Sequence, residues 1–546
     1  MAADKSQYDV VIVGAGSAGC VVANRLSASG TRSVLLLEAG PRDGSIILRM
    51  PAAMGLPLAS TKFNWGFISE PMLGLGGRTS EQHRGRVLGG SSAINGMAFV
   101  RGNARDFDAW ADLGLSGWSY RDCLPYFKSM ETYDLGSDEY RGRNGPLKVT
   151  RSKALNPLYE AFLAAGRQYG LAANDDVNGA EQEGVFRAQA TIHGGVRQSS
   201  AAAFLDPVLQ RKNLKVETGA TVMALTIGGN SVNGVTYRRG GETRSVEAGE
   251  VILCAGAYGT PQLLMLSGIG DAAELRKHGI AGRVGLPGVG LNLQDHVAVP
   301  SRYETRKSVS PTRRLSKHGR VLVGARWMLN KDGLGASNYF EVGAFFRSND
   351  NVTYANIQHE FCPMIVGFDP GIDSMRDGFQ YFTSIMRPRS RGRVRLRSAD
   401  PAAPPIIDLN LLGEREDLLE LVEGVKMTRE MVRQPAWDEL RAGPSDDDEG
   451  ADGVGPEMDR WVRAKAGTGY HPVGTCRMGH DDLAVTDGSG KVHGIERLRI
   501  IDGSLMPRLV TGNTNAPIIM MAEKLSHELL EPHSRVRLKQ GDPIAL

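Results

Sequence analysis

Cysteine is scarce in this chain. Its 546 residues include five, Cys20, Cys123, Cys254, Cys362 and Cys476, odd in number, far apart and without a C-x-x-C pair. That spacing excludes a disulfide framework and a cysteine-built zinc site, and it predicts a reducing compartment. No His, Cys, Asp and Glu cluster has metal-ligand spacing, so no metal is expected. No apolar run reaches the roughly 18 residues of a membrane-spanning helix, and the opening MAADKSQ lacks the apolar core of a secretory signal. A cytoplasmic protein without a membrane span is the expectation, with peripheral membrane contact left open. An excess of one charge is also missing. Lys and Arg number 64 against 61 Asp and Glu, a net charge of +3, so composition gives no reason to expect nucleic acid or an anionic membrane as partner. No internal repeat is present.

Glycine is what the chain has in quantity, with 68 residues suited to tight turns and close backbone approach. The 41% hydrophobic and 23% charged content is that of a globular protein, and the length predicts two or more domains. The organising stretch runs from Tyr8 to Gly40. Val10 to Val13 is a β-branched apolar run suited to a buried parallel strand. Gly14, Gly16 and Gly19 then form G-x-G-x-x-G, Ser17 and Ala18 open a helix that reaches Leu26, and Ser33 to Leu37 is a second strand ending at Glu38 and Ala39. Each part has a task at a dinucleotide. Gly14 permits the turn, Gly16 admits a pyrophosphate to the backbone, and Gly19 lets helix and strand pack closely. The helix N-terminus faces the phosphate, and Glu38 accepts from ribose hydroxyls. The motif alone does not separate FAD from NAD.

Further along, Met50 to Trp65 reads as a loop or cover. The run Gly89-Gly90-Ser91-Ser92 is either a ligand-binding turn or a surface turn before a helix. Helices are predicted over Ala104 to Trp118, with Phe107, Trp110 and Leu113 as core, over Asn156 to Gly170, and out of the segment Gly194 to Leu205. Arg197 fits structure or phosphate equally. Leu214 to Val216, Val222 to Ile227 and Val232 to Tyr237 read as a meander. Glu250 to Ala255 is a buried strand leading to a helix with Pro261 in its first turn and Gly268 and Gly270 after its end. The basic cluster Arg313, Arg314, Lys317, His318 and Arg320 reads as a solvated face. Ser390 to Ser398 is a strand with one basic face, Glu414 to Gln434 a long helix, and Gly443 to Gly455 a mobile acidic loop around Asp446 to Glu449. Late in the chain, His471 precedes a proline in a turn-rich loop, and Asp502 ends the strand-like Leu498 to Ile501. Asn513 and Asn515 precede a helix from Ile518 to Leu530. By residue type alone, His471 fits structure or catalysis, and the asparagines fit caps or ligand amides.

These motifs, taken in order, resemble the glucose–methanol–choline (GMC) oxidoreductase family nearly end to end. The likeness is carried by the glycine motif, by Gly85 to Asn103, by Gly256 to Gly270 and by the His471 to Asn515 region. Segments such as MPAAMGLPL, LGGSSAINGM and GASNYFEVGAFFRS are similar to the bacterial choline and aliphatic alcohol dehydrogenase branch. The resemblance implies a mixed α/β fold. A Rossmann-like FAD-binding domain (6–155, 195–300 and 465–532) carries a substrate-binding domain on an antiparallel sheet (156–194 and 301–464). It implies FAD contacts at Gly14, Gly16, Ser17, Ala18, Gly19, Glu38 and Ala39. A second group is Arg86, Gly89, Gly90, Ser91, Asn95, Gly96, Met97 and Ala98. Val222 and Ala255 follow, then Asp502, Gly503, Asn513 and Asn515 on the flavin side. His471 and Asn513 are implied at the reacting carbon.

The implied reaction is oxidation of a primary alcohol to an aldehyde. His471 takes the hydroxyl proton, Asn513 orients the oxygen, and a hydride passes to flavin N5. The acceptor that reoxidises the flavin is oxygen or a quinone- or dye-type compound. Relatives that attach FAD covalently use a histidine where Ile94 stands here, so a noncovalent flavin is expected. Choline-specific relatives carry a glutamate where this chain has Ala298, after Leu293-Gln294-Asp295-His296. A neutral alcohol is therefore expected rather than choline, in a pocket lined by Trp65, Phe340 and Tyr470. The alternatives are a choline dehydrogenase or oxidase, a hydroxynitrile-lyase-type enzyme on the same fold, and a binding protein with a vestigial flavin site.

Overall fold

The computed structural model describes residues 6–367, 375–444 and 453–531. The expected Asp446 to Glu449 loop lies outside them. The glycine motif folds as its pattern predicts into β1 (Gln7–Val13), α1 (Ser17–Leu26) and β2 (Val34–Glu38). β1 and β2 are parallel, with Val10 opposite Val34 and Val13 opposite Leu37. β3 (Leu214–Thr218) extends the sheet beyond β2, again parallel. It is therefore no part of the expected meander. Gly219, at φ +68° and with its N–H on the Gly40 carbonyl at 2.9 Å, turns the chain away after it. The meander consists of β4 (Ala220–Gly228), β5 (Ser231–Arg239) and β6 (Glu242–Leu253). β6 serves two arrangements in turn. From Glu242 to Glu247 it pairs antiparallel with β5, and from Glu247 to Leu253 it pairs parallel with β1.

α2 (Gly256–Leu266) leaves the end of β6. Pro261 lies inside this helix rather than in its first turn. Lacking an N–H, it leaves the Ala257 carbonyl, four residues back, without its helical donor. The Thr475 hydroxyl donates to that carbonyl at 2.6 Å, so the helix continues past the proline.

The second sheet begins with β7 (Val297–Thr305), which spans the boundary expected at residue 300. α3 (Lys317–Asn330) follows, then β8 (Val342–Phe346), β9 (Ile357–Cys362) and β10 (Phe379–Ile385). The strand order is Arg441–Pro444, β7, β10, β9, β8, Gly184–Arg187, and neighbours are antiparallel throughout. α4 (Arg415–Val432) and the helix Pro157–Gln168, capped by Asn156, cover one face. Leu158, Phe162, Leu421 and Val425 bury that face with Phe361 and Tyr381. Side chains alternate along a strand. His359 and Phe361 of β9 therefore enter this core, while Gln358, Glu360 and Cys362 face the other way, onto a cavity.

The chain returns to the first sheet with β11 (Leu498–Ile500), parallel to β6. α5 (Asn515–Leu530) closes it against α1, where Arg25 grips the Glu523 carboxylate with two donors at 2.7 Å. Three other expected elements are shorter than their patterns suggest. The strand expected over Ser390 to Ser398 forms only at Arg393–Arg395. The helix at Ala104 ends at Ala111, because the chain turns at Gly114 and Gly117 with positive φ, and Leu113 is exposed. The segment 194–205 yields a short antiparallel pair and one wide helical turn, Ala201–Leu205.

One buried ion cluster pins the loops beside the first sheet. Glu131 is fully buried, and its carboxylate accepts from Arg101 at 2.7 Å and Arg141 at 2.8 Å. Glu131→Gln leaves two buried guanidiniums short of their counter-charge. It should lower unfolding stability by about 3–5 kcal/mol in chemical denaturation, and a loss below about 1 kcal/mol would contradict this role.

Candidate active site

The two glycine turns form the floor of the site. Gly14 has φ +97°, and a Cβ on it would lie 2.6 Å from the Cys254 carbonyl oxygen. A Cβ on Gly19 would lie 1.9 Å from the Gly14 carbonyl oxygen, so α1 can rest on the turn only with hydrogen there. Gly89 and Gly90 have φ of +89° and +53°, and a Cβ on Gly90 would come within 2.6 Å of Gly16 Cα. The second turn is thus stacked on the first, with the Gly89 N–H donating to the Ala15 carbonyl at 2.8 Å. Around Gly16 itself the nearest obstacle to a Cβ is 3.9 Å away, which leaves room for a phosphate.

Glu38, at the end of β2, accepts from the Ala15 N–H at 2.9 Å and the Gly40 N–H at 2.8 Å. Burial raises its pKa to about 7. Asp502 binds the N-terminus of α2 to the end of β11, accepting from the Gly256 N–H at 2.8 Å and the Thr260 hydroxyl at 2.6 Å. Ser17 at the start of α1 donates to Asn515 at the start of α5 at 2.7 Å.

A cavity of about 1230 Å³ runs from this floor to the open face of the second sheet. It is bordered by Gly14, Gly16, Ser17, Ala18, Glu38 and Ala39, by Arg86, Gly90, Ser91 and Asn95 to Ala98, and by Val222, Ala255, Asp502, Gly503, Asn513 and Asn515. Two residues expected at the cofactor do not border it. Gly19, in the first turn of α1, packs on the Gly14 carbonyl, and Gly89 lies behind Gly90 against the Ser199 and Ala201 side chains. Arg197 is also set back. Its Nε and Nη1 donate to the carbonyls of Leu48 at 3.0 Å and Asn95 at 2.7 Å, so it braces the second turn, while its buried Nη2 has no partner among the described residues. The cavity fits FAD on physical grounds. Its floor is a glycine cradle in which Gly14, Gly19 and Gly90 admit no side chain. Arg86 carries a buried Nε–H without a partner among the described residues, and stacks on Trp65 at 5.1 Å. Ile94 borders the cavity and offers no nucleophile for covalent attachment.

The chemically active groups meet where the two sheets face each other. His471 Nδ1 lies 2.9 Å from His296 Nδ1, and His471 Nε2 lies 3.1 Å from Asn513 Nδ2. Two carbonyl oxygens, of Met386 and Val510, lie 3.1 Å from His296 Nε2 and require a proton there. His296 Nδ1 is then an acceptor, His471 Nδ1 its donor, and His471 Nε2 carries a lone pair. The network thus selects the His471 tautomer with a basic nitrogen at the cavity. Burial, His296 and Arg84 hold the His471 pKa well below its ordinary value, and burial lowers His296 to about 4, so both rings are neutral near neutral pH.

The loop carrying His471 is braced. Tyr470 has φ +62°, a strained value for a tyrosine. Its N–H donates to the Thr468 hydroxyl at 2.8 Å, and its carbonyl accepts from Arg84 at 2.9 Å. The Thr468 hydroxyl in turn bonds Asp295, which accepts the His471 backbone N–H at 2.7 Å. Asn513 also donates to Glu360 Oε1 at 3.2 Å, and burial raises the Glu360 pKa.

Sequence reasoning had singled out His471 and Asn513. It missed Glu360, Arg84 and the placing roles of His296 and Asp295. The Leu293 to His296 run had served only to locate Ala298, and no local pattern signals contact between histidines 175 positions apart. Trp65, Phe340 and Tyr470 border the cavity as expected, and so does the uncharged Ala298. Among the described residues there is no cluster of three or more metal-ligating side chains, and no helix long and apolar enough to cross a membrane.

Comparison with known proteins identifies the family and the fold. Family models of GMC oxidoreductases match residues 8–298 and 388–522. An oxygen-dependent choline dehydrogenase of Photobacterium profundum is 44% identical over 529 residues, covering 96% of this chain and 93% of the relative. One from Burkholderia ambifaria is 45% identical over 539 residues, covering 97% and 95%. Among solved structures, a pyridoxine 4-oxidase is 30% identical with a TM-score of 0.87, covering 96% of this chain and 99% of that one. A formate oxidase is 27% identical with a TM-score of 0.91, covering 97% and 99%. The fold is the mixed α/β arrangement of these proteins, the cofactor is FAD, and the enzyme is an oxidoreductase acting on CH–OH groups. The chain belongs to the glucose–methanol–choline (GMC) oxidoreductase family.

Proposed function

We propose that this enzyme oxidises the primary alcohol of a small, positively charged amino alcohol, choline being the nearest candidate, with His471 as the base. The observation that carries this reading is Glu360. Its carboxyl faces the cavity from β9, one amide away from His471, and Asn513 is its hydrogen-bond partner. An acid in that position supplies the charge that Ala298 lacks. The choline dehydrogenase names of the relatives support the same substrate. The neutral-alcohol expectation rested on one position after the Leu293 to His296 run, whereas the carboxylate comes from a different strand. A neutral primary alcohol remains the second reading, favoured by Ala298 and by the aromatic border of Trp65 and Phe340.

In this account Gly14 to Ala18 and Gly90 to Ala98 hold the FAD phosphates. Glu38 meets a ribose, Val222 the adenine side, and Asp502, Gly503 and Asn515 the flavin side. Bound FAD supplies the hydride acceptor. The substrate hydroxyl sits between His471 Nε2 and the Asn513 amide. His471, neutral and aimed by His296, takes the hydroxyl proton as the carbon–hydrogen bond weakens. Asn513 holds the oxygen as a fixed dipole that needs no reorganisation. Glu360 fixes the far, cationic end, which orients the reacting carbon. Oxygen as the final acceptor is supported by the relatives' names.

The test compares choline with its uncharged isostere, in which a tert-butyl group replaces the trimethylammonium. Glu360→Gln should raise the KM for choline at least about tenfold, or about 1.4 kcal/mol, and leave the isostere within about twofold. In the wild type, choline binding should weaken as pH falls through the raised pKa of Glu360, because protonation removes its charge. Equal effects on both alcohols, or none, would move the substrate to the neutral reading.

A further inference from the structure

The segment Pro311 to Lys331 contains Arg313, Arg314, Lys317, His318, Arg320, Arg326 and Lys331 and no Asp or Glu, in a chain whose net charge is only +3. Arg326 is paired with Asp332, just beyond the segment, at 2.7 Å, so its charge does not count toward the surface. It folds into a short helical turn, Pro311–Leu315, followed by α3. The expected solvated face is present, since Arg313, Arg314, Lys317 and His318 are exposed. It is joined by something a solvated helix does not need. Val321, Leu322, Met328 and Leu329 are 71%, 72%, 54% and 83% exposed. Their spacing, with Ala325 between them, places them along one stripe of the helix. Trp327 on the opposite side is buried, and its indole N–H donates to the Gly195 carbonyl at 2.7 Å, which fixes α3 to the body. Leu315, Arg320, Val323 and Gly324 border the active-site cavity. α3 is therefore a wall of the cavity whose outer side is apolar and flanked by cations.

We infer that α3 is a docking element for an anionic membrane surface, lying in the interface with its stripe among the acyl chains and its cations at the headgroups. An amphipathic helix binds such a surface through apolar burial and electrostatic attraction together. The absence of acids from the segment selects negatively charged lipid over neutral lipid. It also disfavours a second copy of this chain, because a two-fold contact would place the same cations against each other. The near-neutral whole-chain charge had given no sign of this partner, because the cations are confined to one helix. Docking in this way sets the cavity wall against the bilayer.

The test is cosedimentation of the full-length, FAD-loaded protein with vesicles. One set is phosphatidylcholine alone, and the other contains equal parts of phosphatidylcholine and phosphatidylglycerol. Binding should favour the phosphatidylglycerol vesicles and weaken in high salt. The variant Leu322→Glu/Leu329→Glu should lose at least about tenfold in vesicle partitioning while keeping FAD and its rate on a water-soluble alcohol. Arg313→Glu/Arg314→Glu should lose the preference for phosphatidylglycerol. Absence of wild-type binding, equal binding to both vesicle types, or unchanged binding of the Leu322→Glu/Leu329→Glu variant would each overturn the inference. So would sedimentation velocity showing a dimer that this variant converts to monomer, because the stripe would then be covered by a second copy.

Discussion

His471→Ala is expected to keep FAD and the fold while losing flavin reduction by a factor of about 100 or more. The fold should survive because His471 presents its Nε2 to a cavity, and the loop carrying it is held by other groups. Asp295 accepts the backbone N–H of residue 471, and Arg84 holds the Tyr470 carbonyl, neither depending on the imidazole. What disappears is the ring nitrogen that the contact with His296 directs into the cavity, where the proposal places the substrate oxygen. Without it, the hydroxyl proton must leave to water or remain through the hydride step. Anaerobic stopped-flow gives the limiting reduction rate, and flavin absorbance after gel filtration reports cofactor retention. The lowered pKa predicts that the wild-type base stays active well into acid, since the ring is protonated only far below pH 6.5. Near-normal reduction in His471→Ala would remove His471 from the mechanism.

The second large effect is on assembly of the cofactor site. Gly19→Ala puts a methyl group 1.9 Å from the Gly14 carbonyl oxygen and 3.3 Å from Cys254 Cβ. The first obstacle is backbone, so no rotamer change relieves it, and α1 must lift off β1. That movement opens the floor on which the proposal places the phosphates. It also strains the Arg25–Glu523 pair between α1 and α5. Stability should fall by about 3 kcal/mol, the upper end for overpacking, and the purified protein should be colourless. Gly44→Ala is the control, because nothing lies within 4 Å of its added Cβ and no positive φ is recorded for it. It should stay yellow and stable. Full flavin occupancy in Gly19→Ala would contradict the packing role given to this glycine.

The parts of the molecule legible in the sequence are those set by local chemistry. Val10 to Val13, the three glycines and Glu38 specify strand, turn, helix and strand within one segment, and β1, α1 and β2 form there. Asn156 caps its helix because the cap acts two residues away, its side chain accepting the Leu158 N–H at 2.9 Å. The failures come from partners distant in sequence. β3 reads as meander by pattern, yet it pairs with β2, 180 residues earlier, at Val34 opposite Leu214. Pro261 reads as a helix start because its tolerance inside α2 depends on Thr475, far along the chain. At the site, His471 and Asn513 stood out through family likeness, and they meet at 3.1 Å. Glu360 did not, because in sequence it is one polar residue in an alternating strand. Only the packing of His359 and Phe361 into the core turns it toward the cavity.

The most direct measurement mixes the FAD-loaded wild-type enzyme anaerobically with saturating choline and follows the oxidised flavin band. The account predicts rapid bleaching, with the aldehyde as product and recovery of the colour on admitting air. If neither choline nor its uncharged isostere bleaches the flavin, the assignment of His471, Asn513 and Glu360 to alcohol oxidation is contradicted.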